Sequence, residues 1–358
     1  MRPQPLCAEV ALPTFRLTVA VPTYNRPRLL HQALASIQEA CRRTTMPVEV
    51  LVVDNASPDD TREVAQRYAG VIPDFRYECQ DSNIGGEANF FSCIEKASGA
   101  HVWVVGDDDV VEPESVKAIL RMLSEGANAV VVNYSVWSSD LQMCSKRAFF
   151  AESGNKVFES VDRVLETCGG GLGFTAAVVL NRNQVLKNSR EGFMRYADVG
   201  LSFLDSAYRS LVGTRVAYLA VPLVKNRGNN SRDLCLGTVG WSSETWNRVF
   251  VVGIHQVLSG LSGQGYSDRA VRRARDISVR LYIPERLRLL RRIREPCRTT
   301  VKCLLQNVYD VPSLWTHALP MFLVPRAVLR ITPWLRQFRQ RHNTPRHDVP
   351  TSPPRPKS

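Results

Sequence analysis

Three consecutive carboxylates, Asp107, Asp108 and Asp109, follow the run His101-Val-Trp-Val-Val105 and a single glycine, Gly106. The run is β-branched and aromatic, so it reads as a short buried strand. Carboxylates crowded at the carboxyl end of a strand repel one another unless a cation joins them. Hard oxygen donors in that position suit Mg²⁺ or Mn²⁺, which keep further positions for water and phosphate oxygens. A solvated acidic turn is the plain alternative, since Asp is common in turns. The position directly after a hydrophobic strand favours the first reading.

The segments before the triplet decide what else stands beside it. Residues 17–22 read as a first buried strand, followed by the turn Thr23-Tyr-Asn-Arg-Pro27. Leu29, Leu30, Ala33, Leu34 and Ile37 then recur at helical spacing. Residues 48–54 read as a second strand ending in Asp54. Ser57 is expected to cap the next helix, with Pro58 at its first position. Residues 75–78 form a third strand, and Asn83-Ile-Gly-Gly86 turns the chain into a helix with Phe90, Phe91, Ile94 and Ala97 inward. Pro113 is expected at an early position of the helix after the triplet. Strand and helix alternate four times, which implies right-handed crossovers and a mostly parallel α/β sheet flanked by helices. Ligands bind outside the carboxyl ends of such strands. Tyr24, Asp54, Asn83 and the triplet all fall there, and packing alone does not require it.

Residues 129–134 and 216–221 read as strands, and residues 135–150 as a hairpin. Gly169-Gly-Gly-Leu-Gly173 lacks the Lys-Ser/Thr of a phosphate loop, so a mobile loop or a close backbone approach is expected before a strand at 175–180. Asp198 precedes the helical run Val199, Leu201, Phe203, Leu204, Ala207, Leu211, where a helix cap is its plain role. Asp205 lies about two helical turns further on. Arg227 precedes Gly-Asn-Asn-Ser231, in a segment that reads as an exposed loop.

Charge is unevenly placed. The net charge is +12, yet residues 261 onward hold 20 Lys and Arg against 6 Asp and Glu, so the first 260 residues are slightly acidic. That separates a catalytic part from a helical basic extension. The nine cysteines include no Cys-x-x-Cys pair, which argues against a disulfide framework or a structural zinc site. The first 13 residues lack the apolar core of a signal peptide, and no run reaches the roughly 18 apolar residues of a membrane span. A cytoplasmic location is expected, with peripheral attachment to the inner face of the membrane. The apolar groups from Met321 to Phe338, interleaved with Arg326, Arg330, Arg336 and Arg339, make an anionic membrane surface the expected partner.

Four motifs stand in order over residues 17 to about 125: Val21-Pro-Thr-Tyr-Asn-Arg26; Val53-Asp-Asn-Ala-Ser-Pro-Asp-Asp60; Asn83-Ile-Gly85; and Ala97-Ser-Gly99 with Gly106-Asp-Asp-Asp109. Together they resemble the family 2 glycosyltransferases. The stretch from Asn83 to Gly99 is similar to the abequosyltransferase-like subgroup. The resemblance implies a GT-A fold, a nucleoside-diphosphate-sugar donor, a divalent metal (Mg²⁺ or Mn²⁺) and inversion at the anomeric carbon. It implies that Pro22, Thr23, Tyr24 and Asp54 hold the nucleotide base, with Arg26 and Asn83 also on the donor side. Asp107 or Asp108 would meet the ribose. Asp109, with Asp107, would coordinate the metal, and Arg227 would lie near the diphosphate. An inverting enzyme of this kind needs a base near the acceptor hydroxyl, and Asp198 stands at the corresponding point.

The expected organisation is an N-terminal tail at 1–15 and a GT-A catalytic domain at 16–235. The domain divides into a nucleotide-sugar half, 16–134, and an acceptor half, 135–235. A helical basic extension at 236–342 and a disordered tail at 343–358 follow. The expected reaction is sugar transfer to a hydroxyl of a glycan or lipid-linked acceptor during cell-surface polysaccharide synthesis. A nucleotidyltransferase acting on sugar phosphates is the alternative enzyme. A nucleic-acid-binding protein ranks last, because the basic tail lacks a recognition motif.

Overall fold

The computed structural model describes residues 15–228, 242–293 and 297–322. Among the described residues ten strands form one sheet: β1 Phe15–Thr23, β2 Val48–Asp54, β3 Phe75–Cys79, β4 Gly99–Val104, β5 Val110–Val111, β6 Ala129–Trp137, β7 Cys144–Lys146, β8 Lys156–Val157, β9 Val178–Asn181 and β10 Val216–Arg227. Their order is β3-β2-β1-β4-β9-β6-β10-β5, with β7 on β6 and β8 on β10. Strands β3, β2, β1 and β4 run parallel, as the alternation of strands and helices requires. β9 breaks the pattern by pairing antiparallel with both β4 and β6. β6 and β10 are again parallel. The sheet is therefore mostly parallel, and β1, β2, β4, β6 and β10 end on one edge.

The flanking helices follow the apolar periodicity. Helix Pro27–Arg42 buries Leu30, Ala33, Leu34, Ile37 and Ala40, a stripe at i, i+3, i+4, i+7 spacing, and starts at a proline, whose missing N–H costs nothing there. Two expected helix starts are displaced. The helix after β2 begins at Thr61, and Ser57 is drawn to Asp54 instead. The helix after the triplet begins at Ser115, so Pro113 lies in the turn before it. The expected strand at 175–180 begins only at Val178, after a short 3₁₀ turn at Thr175–Ala177. The last strand runs on past a register shift to Arg227.

Gly169–Gly173 is a buried 3₁₀ turn, a case of close approach. A Cβ on Gly171 would stand 2.6 Å from the Phe150 ring, and one on Gly170 2.9 Å from Ile254. Helix Asp268–Ile293 lies over this turn, and Gly170 N–H donates to Ser278 Oγ at 3.0 Å. A second apolar cluster joins that helix to the helices after it, through Val279, Ile283, Leu287, Leu304, Val308 and Leu314. The helices after residue 242 thus pack against the sheet domain as well as against each other. Among the described residues no helix is long and apolar enough to cross a membrane. The arginine-bearing stretch from 323 onward, the tail 343–358, residues 1–14 and the Asn-Asn-Ser segment after Gly228 lie outside the described residues.

Candidate active site

The carboxyl edge of the sheet gathers the chemistry. β1 and β4 are neighbours, so the turn after Thr23 and the triplet after β4 emerge side by side. Asn25 takes a left-handed φ of 56° and turns the chain towards helix Pro27–Arg42. Thr23 Oγ1 donates to Asp107 Oδ2 at 2.8 Å. One Arg26 guanidinium nitrogen reaches Asp107 Oδ1 at 3.2 Å and Asp108 Oδ2 at 3.3 Å. Pro22 and Thr23 are buried, and Tyr24 is half-buried.

Asp109 is held from the far side of the sheet. Its Oδ1 accepts from the Arg227 backbone N–H at 3.2 Å and from Asn226 Nδ2 at 3.4 Å. Arg227 closes β10 and is buried, not displayed on an exposed loop. Its Nε donates to the Asp108 carbonyl at 2.8 Å, and its two terminal nitrogens to the Ser139 carbonyl at 2.7 Å and Gln32 Oε1 at 2.6 Å. Burial brings the pKa of this guanidinium below the usual arginine value, against the opposing charges of Asp108 and Asp109. Gly106 permits the crowding: a Cβ there would lie 2.8 Å from both Asp108 Oδ1 and Asp109 Oδ2.

Asp107 and Asp109 are only 6 % and 3 % exposed. Burial, and then the charge of Asp108, push Asp107 up to about 6, although Arg26 and Thr23 oppose this. Burial and Asp108 likewise raise Asp109. Ionising such a group costs free energy that a cation would return.

The same edge carries a second, hydrogen-bonded group. Asp54 is 1 % exposed. Its Oδ1 accepts from Ser57 N–H at 3.0 Å and Ser57 Oγ at 2.6 Å, and its Oδ2 from the Tyr77 hydroxyl at 2.6 Å. Ser57 Oγ in turn accepts from Asn25 N–H at 2.8 Å, which ties this group to the turn after β1. Asn55 Nδ2 donates to Asn83 Oδ1 at 2.8 Å, and Asn55 Oδ1 accepts from Ile84 N–H at 2.9 Å. Asn83 is therefore bolted to the end of β2. Tyr77, Asn55, Ser57 and Gln32 were not singled out as site residues by the sequence. Asn55 and Ser57 lie inside the Asp54 motif and carried that signal; Tyr77 and Gln32 carried none.

Asp198 lies apart from both groups. It is exposed, in the 3₁₀ segment Met194–Val199, and does not cap the next helix. That helix, Ser202–Leu211, has Leu201 at its N-cap, and its first N–H is taken by Glu87 Oε2 at 3.0 Å. Among the described residues no hydrogen bond joins Asp198 to the triplet. Asp205 is spent on structure: both its oxygens receive Arg209 Nε at 2.9 Å, and burial raises its carboxyl against that arginine.

Among the described residues no group of three or more His, Cys, Asp or Glu is arranged to hold a metal. The donor set nevertheless fits an ion that takes only one or two carboxylates and fills its other positions with water and phosphate oxygens. Both partners of Asp109 bind Oδ1, leaving Oδ2 beside Asp108 Oδ1 over Gly106. The oxygens of Asp107 are engaged by Thr23 and Arg26.

A family model described as glycosyl transferase family 2 matches residues 18–170. Abequosyltransferase RfbV of Salmonella typhimurium is 22 % identical over 233 residues, 60 % of this chain and 67 % of that protein. The GalNAc(5)-diNAcBac-PP-undecaprenol beta-1,3-glucosyltransferase of Campylobacter jejuni is 31 % identical over 112 residues, 31 % of this chain. That match spans 35 % of the glucosyltransferase, about a third of its length. Among solved structures, S. aureus TarS 1-349 in complex with UDP-GlcNAc superposes with a TM-score of 0.57 at 14 % identity, covering 83 % of this chain and 82 % of that one. The structural likeness supports the GT-A fold.

Proposed function

We propose that this chain, a glycosyltransferase of family 2 by its residues 18–170, moves a sugar from a nucleoside diphosphate to a hydroxyl of a glycan or lipid-linked acceptor. One observation carries the reading. Thr23, Arg26, Asp54, Asn83, the Asp107–Asp109 triplet and Arg227 come from five strand ends and the turns that follow them, and a network of hydrogen bonds spans the carboxyl edge of one sheet. Packing does not need such an edge, whereas a ligand carrying a base, a ribose and a diphosphate does.

In this reading Asp54 and Asn83, held by Ser57 and Asn55, face the base. Asp107 and Asp108, held by Arg26, face the ribose. Asp109, with Asp108 beside it, would hold a divalent cation, which when bound stabilises negative charge on the departing diphosphate. Arg227 holds Asp108 and Asp109 in place. Asp198 accepts the proton of the acceptor hydroxyl as its oxygen bonds to the anomeric carbon. The bond from that carbon to the diphosphate breaks on the opposite face, so the configuration inverts.

The test is a thermal-shift screen of nucleoside diphosphates with and without Mn²⁺, followed by a product assay. Binding stabilises the fold by RT ln(1 + [L]/Kd), so at a hundredfold excess over Kd the preferred base adds about 2.7 kcal/mol. A nucleoside diphosphate is the expected product. Release of pyrophosphate would move the assignment to nucleotidyl transfer, and no shift with any base would end the donor reading.

The basic extension is proposed to hold the enzyme on an anionic membrane surface, near a lipid-linked acceptor. Its support is composition alone, since the relevant stretch lies outside the described residues. Replacing Arg326, Arg330, Arg336 and Arg339 together by Gln in the full chain should weaken co-sedimentation with anionic liposomes by more than tenfold, at about 1 kcal/mol per engaged arginine. Equal sedimentation of both proteins, or indifference to lipid charge, would overturn this.

A further inference from the structure

Helix Ser202–Leu211 begins without a cap of its own. Leu201 occupies its N-cap and has no side-chain acceptor, and Asp205 is bound to Arg209. The first N–H groups of a helix need an acceptor. The acceptor at Ser202 N–H is Glu87 Oε2, at 3.0 Å, from a residue 115 positions earlier in the chain.

Glu87 belongs to the donor side. It is the second residue of helix Gly86–Lys96, which starts directly after the Asn83–Gly85 turn. Asn83 Oδ1 accepts from Asn55 Nδ2 and from Gly85 N–H at 2.9 Å, and Gly85 takes a left-handed φ of 85°. Asn89, one turn into the helix, donates to the Val53 carbonyl at 3.0 Å, just before Asp54. The start of this helix is therefore rigidly attached to the floor under the proposed nucleotide base. The same helix also touches the other end of the Asp198 segment. Phe91 packs on Phe193 with ring centroids 4.9 Å apart. The stretch 193–202 is thus clipped at one end by Phe91 and at the other by Glu87, with Asp198 exposed between the clips.

We propose that Glu87 is a positioning residue that couples occupancy of the donor site to the placement of the segment carrying Asp198. The proposal deepens the glycosyltransferase reading and rests on it. A nucleotide that orders the Asn83–Gly85 turn also steadies Glu87, and through it the first turn of helix Ser202–Leu211. Burial raises the carboxyl of Glu87, and Ser202 opposes this. An amide oxygen would accept from the same N–H, so Gln is the conservative variant.

The experiment is hydrogen–deuterium exchange of the full chain with and without UDP and Mn²⁺, on wild type, Glu87→Ala and Glu87→Gln. If the thermal-shift screen selects another base, that nucleoside diphosphate replaces UDP. In the wild type, nucleotide should slow exchange severalfold in peptides covering 83–87 and also in those covering 194–205. In Glu87→Ala the first effect should remain and the second should disappear, and Glu87→Gln should restore it. A merely structural cap would speed exchange at 202–205 in Glu87→Ala with and without nucleotide alike, leaving the nucleotide-induced change intact; that result overturns the coupling. Protection at 83–87 with none at 194–205 in the wild type overturns it too. Failure of every nucleoside diphosphate to protect 83–87 removes the donor reading itself, and the coupling falls with it.

Discussion

Asp109→Asn should leave a folded protein with sugar transfer reduced by at least about 10²-fold, since stabilisation of a leaving diphosphate is worth several kcal/mol and each 1.4 kcal/mol is tenfold. The fold should survive for a specific reason. The amide oxygen of Asn can take the place of Oδ1 and keep accepting from Arg227 N–H and Asn226 Nδ2. The substitution also removes a buried charge that burial and the neighbouring Asp108 both disfavour. Unliganded Asp109→Asn should therefore melt at or above the wild-type temperature. Stability held or raised together with activity lost is the signature of a charge kept for function at the expense of the fold. The assay is transfer by purified variant with Mn²⁺ and with EDTA, beside a melting curve. Near wild-type turnover in EDTA would dismiss the cation, and a lowered melting temperature would mean that Asp109 is a structural acceptor.

Asp198→Asn should keep nucleotide affinity and lower transfer by about 10²–10⁴-fold, the usual contribution of a positioned general base. The structure sharpens this test, because the competing role as a helix cap falls to Glu87. Asp198 is exposed, and helix Ser202–Leu211 does not depend on it, so the substitution should hardly move the melting temperature. The readouts are the thermal shift with nucleoside diphosphate and the transfer rate. Unchanged transfer would retire Asp198 as base. Since Asp205 is paired with Arg209, a different acidic group would then have to be sought.

Residue spacing made much of the donor side legible. Three runs rich in β-branched residues and a fourth carried by Phe75 and Tyr77, alternating with helical stripes, have few solutions other than a parallel sheet, and β1 to β4 form one. The Asp54, Asn83 and triplet motifs end or follow those strands, so the edge they share follows from strand direction alone. What escaped the sequence was long-range or depended on competition. Ser57 has the chemistry of a cap, but its oxygen accepts from Asn25 N–H while its hydroxyl donates to Asp54, and the helix begins only at Thr61. Tyr77 reaches Asp54 from a neighbouring strand, which only the pairing of β2 with β3 reveals. β9 runs antiparallel between two parallel groups, and nothing in the run Val178-Val-Leu-Asn181 states its direction. Arg227 sits beyond Pro222, which suggested the end of a strand, whereas the shift in register between Leu219 and Val224 lets β10 resume.

The glycine turn under helix Asp268–Ile293 bears on how the protein is made. Gly170 and its partner Ser278 are 108 residues apart in the chain. Ribosomes add roughly 5–20 residues per second, so the bare backbone of Gly169–Gly171 and the aromatic side chains around it wait roughly 5 to 20 seconds for their cover. Until then the nascent chain displays a sticky, side-chain-free surface next to a nearly finished sheet. A stop codon anywhere between the last strand and that helix would leave that surface open permanently. The helices after the sheet therefore act as the closing piece of synthesis, and a chain lacking them is a substrate for chaperones and proteases before it is an enzyme.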